Sequence, residues 1–162
     1  MLVIRYTALL ALVVWLGGMI VLGLIVAPST FQVLEAANPA TGGELAGSLV
    51  GTILWHFHLV AYGCAGVMLA CLFAIKFLGP PPASFIPRVS IVAVMLIVAL
   101  YSGYPVTRGM VRLQSQAHGP MATPPQRDAW RAQFDRLHEA STALMAVNLS
   151  LGLVLLFWYV RE

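Results

Sequence analysis

The sequence predicts an all-α integral membrane protein, an antiparallel bundle of four transmembrane helices. Of its 162 residues, 60% are hydrophobic and 9% are charged, whereas a soluble domain carries about 25% charged residues. Four stretches without a charged residue measure 29, 31, 19 and 21 residues, and a membrane-crossing helix needs about 20 apolar residues. No stretch alternates apolar and polar residues as a membrane β-strand does. These observations exclude a disordered chain and argue against a soluble domain.

Proline and glycine set the limits of the first two helices. We expect the first helix to end at Ala27, because Pro28 follows it, and an extramembrane loop with a short helix near residues 31–37 to come next. The second helix should begin near Gly43 and stop at the run Gly-Pro-Pro-Pro over residues 79–82;. Gly43, Gly47 and Gly51 are spaced by four, a ridge of small residues that is typical of close helix packing;.

The last two helices are also bounded by prolines. Pro105 should kink the third helix near its end at Met110;. Pro125 suits a first helical turn, so the fourth helix should begin at Gln126, before the membrane;. The chain is then one domain over residues 1–162, with spans at about 2–27, 45–78, 86–110 and 137–160.

The positive charges predict an orientation and a class of partner. The first loop has no Lys or Arg, whereas Lys76 and Arg88 flank the second loop, which places both termini in the cytoplasm;. Five arginines in and around the third loop argue the other way. The net charge of +3 is spread over the loops and forms no basic stripe, so we expect no nucleic acid as a partner;. The apolar spans predict lipid, and other membrane-protein subunits, as partners.

The four histidines are the main candidates for chemistry. His56, His58, His118 and His138 fall in one layer near the first and third loops of an up-and-down bundle. Histidine in a span is costly and indicates function by default, although a histidine near a helix end can instead reach the headgroups. His56 and His58 diverge by about 200° on a helix, so both cannot face one ligand, and His58 lies deeper;.

A polar stripe on the fourth helix points to the bundle interior. It comprises residues at steps of three and four: His138, Ser141, Met145, Asn148 and Gly152;. It can serve as a hydrogen-bonding ladder between helices or as part of a ligand site, and the two roles are compatible.

Two ligands fit these residues. One is a b-type haem between His58 and His138, with Arg108 or Arg112 near its propionates. The other is a copper ion, since imidazole and thioether are copper ligands, with metal candidates His56, His58, His138 and Met110;. The chain lacks Cys-x-x-Cys-His, His-Glu-x-x-His, a phosphate loop and a nucleophile elbow, which argues against an enzyme;.

Short motifs resemble those of an uncharacterised four-helix bacterial membrane domain family, related to copper-resistance-D-like proteins and to a eukaryotic transmembrane protein linked with cisplatin resistance. They lie at residues 15–18, 26–28, 46–47 and 104–105, and the best match is Phe-x-x-x-His-x-x-Ser at residues 134–141. The resemblance implies a four-helix bundle in the bacterial inner membrane and no established reaction. Copper-handling and haem-binding members occur in the wider group. The His56-x-His58 pair is not part of the resemblance.

Two functions follow as expectations. The first is a small integral membrane protein that binds a metal ion or b-type haem in a histidine layer near the outer membrane face. The alternative is a cofactor-free structural accessory subunit of a larger membrane complex. A third function, an enzyme that acts on a transferable substrate, has the least support.

The orientation is directly testable. A reporter fused after Glu162 should be cytoplasmic, because the first loop lacks the Lys and Arg that flank the second;. Alkaline phosphatase activity from the same fusion would reverse the orientation.

Overall fold

The structure is a computed structural model that describes residues 2–78, 85–117 and 124–161. Nearly all of these residues are helical and none lies in a strand, which confirms the all-α class. The helices are α1 (Leu2–Val21), α2 (Ala27–Ala37), α3 (Gly42–Leu78), α4 (Phe85–Tyr101), α5 (Thr107–Ala117) and α6 (Pro124–Arg161). The π-helical turns Leu22–Val26 and Ser102–Val106 join α1 to α2 and α4 to α5 without a break.

Four helical segments are long and apolar enough to cross a membrane. We number them as the first to fourth spans: Leu2–Ala37, Gly42–Leu78, Phe85–Met110 and Asp128–Arg161. Large apolar side chains cover their outer faces; Leu24 is 74% exposed and Phe77 82% exposed. An apolar surface this extensive is unfavourable in water and suits contact with lipid. The chain is therefore a multi-pass membrane protein.

The spans form a ring in which neighbours run antiparallel. Each span packs on the next, and the fourth packs on the first. Arg5, Arg88 and Tyr159 line one small pocket, so the start of the first span, the start of the third and the end of the fourth meet. The second span ends there too, since Lys76 Nζ lies 5.2 Å from the centre of the Phe85 ring. We call this the closed end, and the other the open end.

The closed half of the bundle is tightly packed. Its core contains the fully buried side chains Leu12, Trp15, Met68, Leu72, Val92, Met95 and Leu155. Gly152 lets α6 approach α1, because a Cβ there would overlap Leu16 and lie 3.1 Å from Met95 Cε. In lipid such close packing is a main source of helix association.

The expectation that Pro28 ends the first helix is wrong. The helix continues to Ala37 through a π-helical turn in which the Ala27 N–H donates to the Leu22 carbonyl. Proline cannot donate to the residue four positions earlier, and a local π-helical turn is one way in which a membrane helix accommodates the missing donor. The Thr30 hydroxyl donates to the Val26 carbonyl at 2.7 Å.

Pro105 has the same effect in the third span. It lies inside the second π-helical turn, and the Thr107 hydroxyl donates to the Ser102 carbonyl at 3.0 Å. The helix therefore does not end at Met110 but continues to Ala117.

The connections differ from the expected loops. The first loop shrinks to residues 38–41, where Asn38 Oδ1 accepts the N–H groups of Ala40 and Thr41 at 3.2 and 3.4 Å. Helix α6 begins at Pro124, two residues before the predicted start at Gln126. The proline run at 79–82 and His118 lie outside the described residues.

Close packing at Gly152 gives a stability prediction. Gly152→Ala should destabilise the bundle by about 1–3 kcal/mol, because the added methyl group overlaps Leu16;. Gly66→Ala is the matched control, since nothing lies within 4 Å of a Cβ there. Thermal unfolding in mild detergent measures both. Equal stabilities of the two variants would contradict the packing.

Candidate functional site

The open half of the bundle contains a cavity of about 680 Å³, which we call the bundle cavity. All four spans contribute to its wall, which is predominantly apolar. Trp15, Ala61, Ala99 and Asn148 lie at its inner end, next to the packed core. Its size falls within the range of about 300–1,000 Å³ typical of small-molecule sites, and apolar walls with a few polar groups are also typical of them.

Small residues and π-helical turns make room for the cavity. Gly47 and Gly51 of α3 line it, and nothing lies within 4 Å of a Cβ built on Gly51. The spacing of the glycines predicted that Gly51 brings a neighbouring helix close. Instead, Gly51 widens the cavity. Gly23 and Ser102, one from each π-helical turn, also line the wall. Single π-helical turns within α-helices occur often at functional sites.

The cavity reaches the surface between the first and fourth spans. His138 and Thr142 belong to its wall and are exposed. Helix α2 packs on α3, whereas α6 packs on α1, α4 and α5, and no extended interface joins α2 to α6 in the described ranges. The rim of the cavity therefore includes exposed residues of α6, on the side where α2 and α6 share no extended interface in the described ranges.

His58 is buried in the cavity wall in a defined tautomer. It is 6% exposed, and its Nδ1–H donates to the Leu54 carbonyl at 2.7 Å. Since a carbonyl only accepts, Nε2 carries the lone pair, and it makes no hydrogen bond to the described residues. Gly103 makes space for the ring, because a Cβ there would overlap the Tyr62 hydroxyl and lie 2.6 Å from His58 Cδ2.

The polar stripe of α6 follows the cavity wall, as the sequence predicts. Its outermost member, His138, stacks on Phe134 with ring centres 6.3 Å apart and planes at 6°. Ser141, Met145 and Asn148 line the cavity below it. Gly152, the last member of the stripe, packs on α1 in the closed half.

The two candidate histidines lie at different depths. A Cβ on Gly109 meets Leu137 at 3.0 Å, and one on Gly103 meets His58, so these contacts set the level of each residue. His138 follows Leu137 toward the closed end, which leaves His58 about five residues deeper, or about 7.5 Å along the axis. Both residues line the same cavity, His58 deeper in the bundle and His138 at its exposed rim.

Of the other predicted site residues, only Met110 lines the cavity. His56 is exposed outside it, with Nδ1–H donating to the Thr52 carbonyl at 2.9 Å. Arg108 is exposed, with its guanidinium 3.8 Å from the centre of the Tyr104 ring, and Arg112 is exposed as well. The described residues contain no group of three or more His, Cys, Asp or Glu that could hold a metal ion.

Besides Asn148, which belongs to the predicted stripe, the wall contains three polar residues that were not singled out from the sequence. Asn148 is 4% exposed, and its Oδ1 is buried without a hydrogen-bond partner. Ser102, Thr107 and Thr142 also line the cavity. Ser102 and Thr107 could have been found from the sequence by their position, because they flank Pro105 in a stretch without charges.

The comparisons with known proteins identify a family and nothing narrower. Residues 10–119 match the family described as "Domain of unknown function (DUF4149)". No curated protein and no solved structure matches the chain. Nothing in the comparisons links the chain to copper-resistance-D-like or cisplatin-resistance-associated proteins.

The tautomer of His58 is a measurable consequence of the Leu54 contact. In protein labelled with ¹⁵N-histidine, NMR should show His58 protonated at Nδ1 and unprotonated at Nε2;. The spectrum of His58→Gln assigns the signals by their loss. A proton on Nε2 would contradict the described orientation.

Proposed function

The chain belongs to the DUF4149 family, and we propose that it binds a small, neutral, largely apolar organic molecule taken from the lipid phase. The observation that supports this most directly is the bundle cavity, about 680 Å³ in volume and walled by all four spans. A bundle selected only for packing would fill this space, since helix association in lipid depends on close contact.

The wall favours a neutral ligand. Among the described residues that line it there is no Lys, Arg, Asp or Glu. An ion that enters such a site loses its hydration and meets no opposite charge, which is strongly unfavourable. Phosphate, carboxylate and ammonium groups are therefore poor occupants of the inner cavity.

The route of entry also supports this proposal. The opening lies between the first and fourth spans, beside outer faces that are covered with large apolar side chains. A ligand dissolved in the bilayer reaches it laterally, without crossing an aqueous compartment.

A metal ion or b-type haem bound at His58 is the second candidate. Its support is the Nδ1–H donation to Leu54, because a ligating histidine commonly donates its other N–H to a carbonyl or carboxylate;. Met110 in the same wall adds a thioether for copper;. His138 lines the same cavity nearer its rim, whereas Arg108 and Arg112 lie outside the wall.

Filling the cavity tests the first candidate. Gly51→Leu places a larger side chain in open space of the cavity, whereas Gly63→Leu adds the same group at an exposed site on the same helix. Native mass spectrometry of protein purified in mild detergent should find a co-purified organic molecule with wild type and Gly63→Leu. Gly51→Leu should lose it. The same complement in all three proteins would contradict the proposal.

The same preparations distinguish the other functions. A Soret band in the wild type that disappears in His58→Ala would support haem, and stoichiometric copper with the same dependence would support a metal. Absence of every ligand, together with co-purification of another membrane protein, would favour the accessory-subunit alternative. Both termini in the cytoplasm and a bacterial inner membrane remain part of the proposal.

A further inference from the structure

The inner end of the bundle cavity contains two side chains that can donate a hydrogen bond to an occupant. Asn148 and Trp15 both line the cavity there, and they are 4% and 1% exposed. Each side chain is therefore almost completely enclosed by protein and borders the cavity with the remainder. The polar atoms that these two residues turn to the cavity define what an occupant must supply.

The amide of Asn148 turns its nitrogen to the cavity. Oδ1 is buried and has no hydrogen-bond partner, so Nδ2 is the polar atom of this amide that is left to face the cavity. Nδ2 carries two N–H donors, and it donates to none of the described residues. Such a donor lacks an acceptor until an occupant supplies one, and leaving it unpaired costs free energy.

The indole of Trp15 has the same polarity. Its Nε1–H can only donate, and it makes no hydrogen bond to the described residues. Nε1 is not fully buried either, so its accessible surface faces the cavity that Trp15 lines. Two helices, α1 and α6, thus each place an N–H donor at the inner end.

The acceptor His58 Nε2 lies nearer the opening. By the contacts described above, His58 is about five residues deeper than His138, whereas Asn148 is ten residues deeper. Asn148 and His58 therefore differ by about 7.5 Å along the bundle axis. Since α3 and α6 run in the same direction, their side chains lean the same way, which preserves this difference. One ligand atom cannot contact both groups, because two hydrogen bonds together reach only about 6 Å.

We propose that the ligand presents a carbonyl oxygen to the inner end of the bundle cavity: it is an apolar carbonyl compound, such as a ketone or an ester. This inference rests on the proposed function and specifies its ligand class. The carbonyl oxygen accepts from Asn148 Nδ2–H, and its second lone pair is available to Trp15 Nε1–H. The apolar body of the ligand lies against the walls toward the opening.

The donors favour a carbonyl over other polar groups. A carbonyl oxygen accepts hydrogen bonds and brings no proton that needs an acceptor of its own. A hydroxyl oxygen can also accept from Asn148, but its proton then lies far from His58 Nε2, about 7.5 Å away along the axis. A carboxylate would be an ion with no Lys or Arg among the described lining residues;.

Three probes of matched shape test the inference: 2-tridecanone, its alkene isostere 2-methyl-1-tridecene, and 2-tridecanol. They share one apolar chain and carry a carbonyl, a methylene or a hydroxyl group on the second carbon. The full chain in lipid nanodiscs is titrated with each probe, and occupancy is read by native mass spectrometry at equal probe concentrations in the bilayer. The wild type should bind the ketone about 10-fold or more tightly than the alkene, because the alkene leaves buried donors unpaired. It should also bind the ketone more tightly than the alcohol.

Variants locate the donor. Asn148→Leu is close in shape and removes Nδ2, and Trp15→Phe removes the indole N–H. At least one of them should reduce the preference for ketone over alkene to about 2-fold or less, while binding of the alkene persists. Ser150→Ala is the control, since Ser150 is exposed on the same helix as Asn148 and donates to its own backbone at 2.8 Å. It should keep the wild-type preference.

The carbonyl stretch of the ketone reports the contact directly. Infrared difference spectra of 2-tridecanone labelled with ¹³C at the carbonyl are recorded in nanodiscs with and without the protein. A band at lower wavenumber should appear with the wild type, since an N–H donor weakens the C=O bond, and the variant that loses the preference should lose this band. An unshifted band in the occupied wild type would overturn the assignment.

The binding outcomes separate this inference from the proposed function. Equal binding of ketone and alkene to the wild type overturns the carbonyl assignment and leaves a general apolar site. An alcohol that binds as tightly as the ketone also overturns it, and so does a ketone preference that survives in both donor variants. Binding of none of the probes to the wild type, with Gly51→Leu no different, contradicts the proposed function itself.

Discussion

The structure depends on one constraint: within a bilayer, each backbone polar group must find its hydrogen-bond partner inside the protein. Helices meet this constraint along four spans. Where a proline removes a donor, the chain widens into a π-helical turn and keeps its helical course. After each proline a threonine hydroxyl also donates to the backbone, Thr30 to the Val26 carbonyl and Thr107 to the Ser102 carbonyl. The same constraint applies to side chains, which gives significance to the few polar groups that face the bundle interior.

The two halves of the bundle meet this constraint differently. In the closed half, Trp15 and Met95 are fully buried, and Gly152 brings α6 onto α1. In the open half, Gly51 faces open space and the π-helical turns shift the helices apart around a cavity. Small residues therefore serve opposite purposes. A glycine that faces a large side chain, as Gly152 faces Leu16, allows contact, and a glycine with no atom near its Cβ position, as at Gly51, leaves space.

The cavity combines apolar walls with polar groups, several of which are held in fixed orientations. His58 is fixed by the Leu54 carbonyl on one side and by Gly103 on the other. Thr107 and Thr142 have already donated their protons to the backbone. Such a wall has a polarity that the composition of its residues does not reveal, because hydroxyl and imidazole groups can donate or accept. The local helix contacts decide between the two.

The sequence by itself determined the four spans, the all-α class and the inward stripe of α6, because uncharged length and helical periodicity depend on local order alone. It also separated His56 from His58, since their angular difference on one helix is fixed by helix geometry. Only the structure decided that the helix continues past Pro28, because a π-helical turn accommodates the missing donor. The relative depths of His58 and His138, and the cavity itself, depend on how separate helices slide against one another. That register is set by contacts such as Leu16 with Gly152 and Leu137 with Gly109. Such contacts join residues far apart in the chain, and no local pattern specifies them.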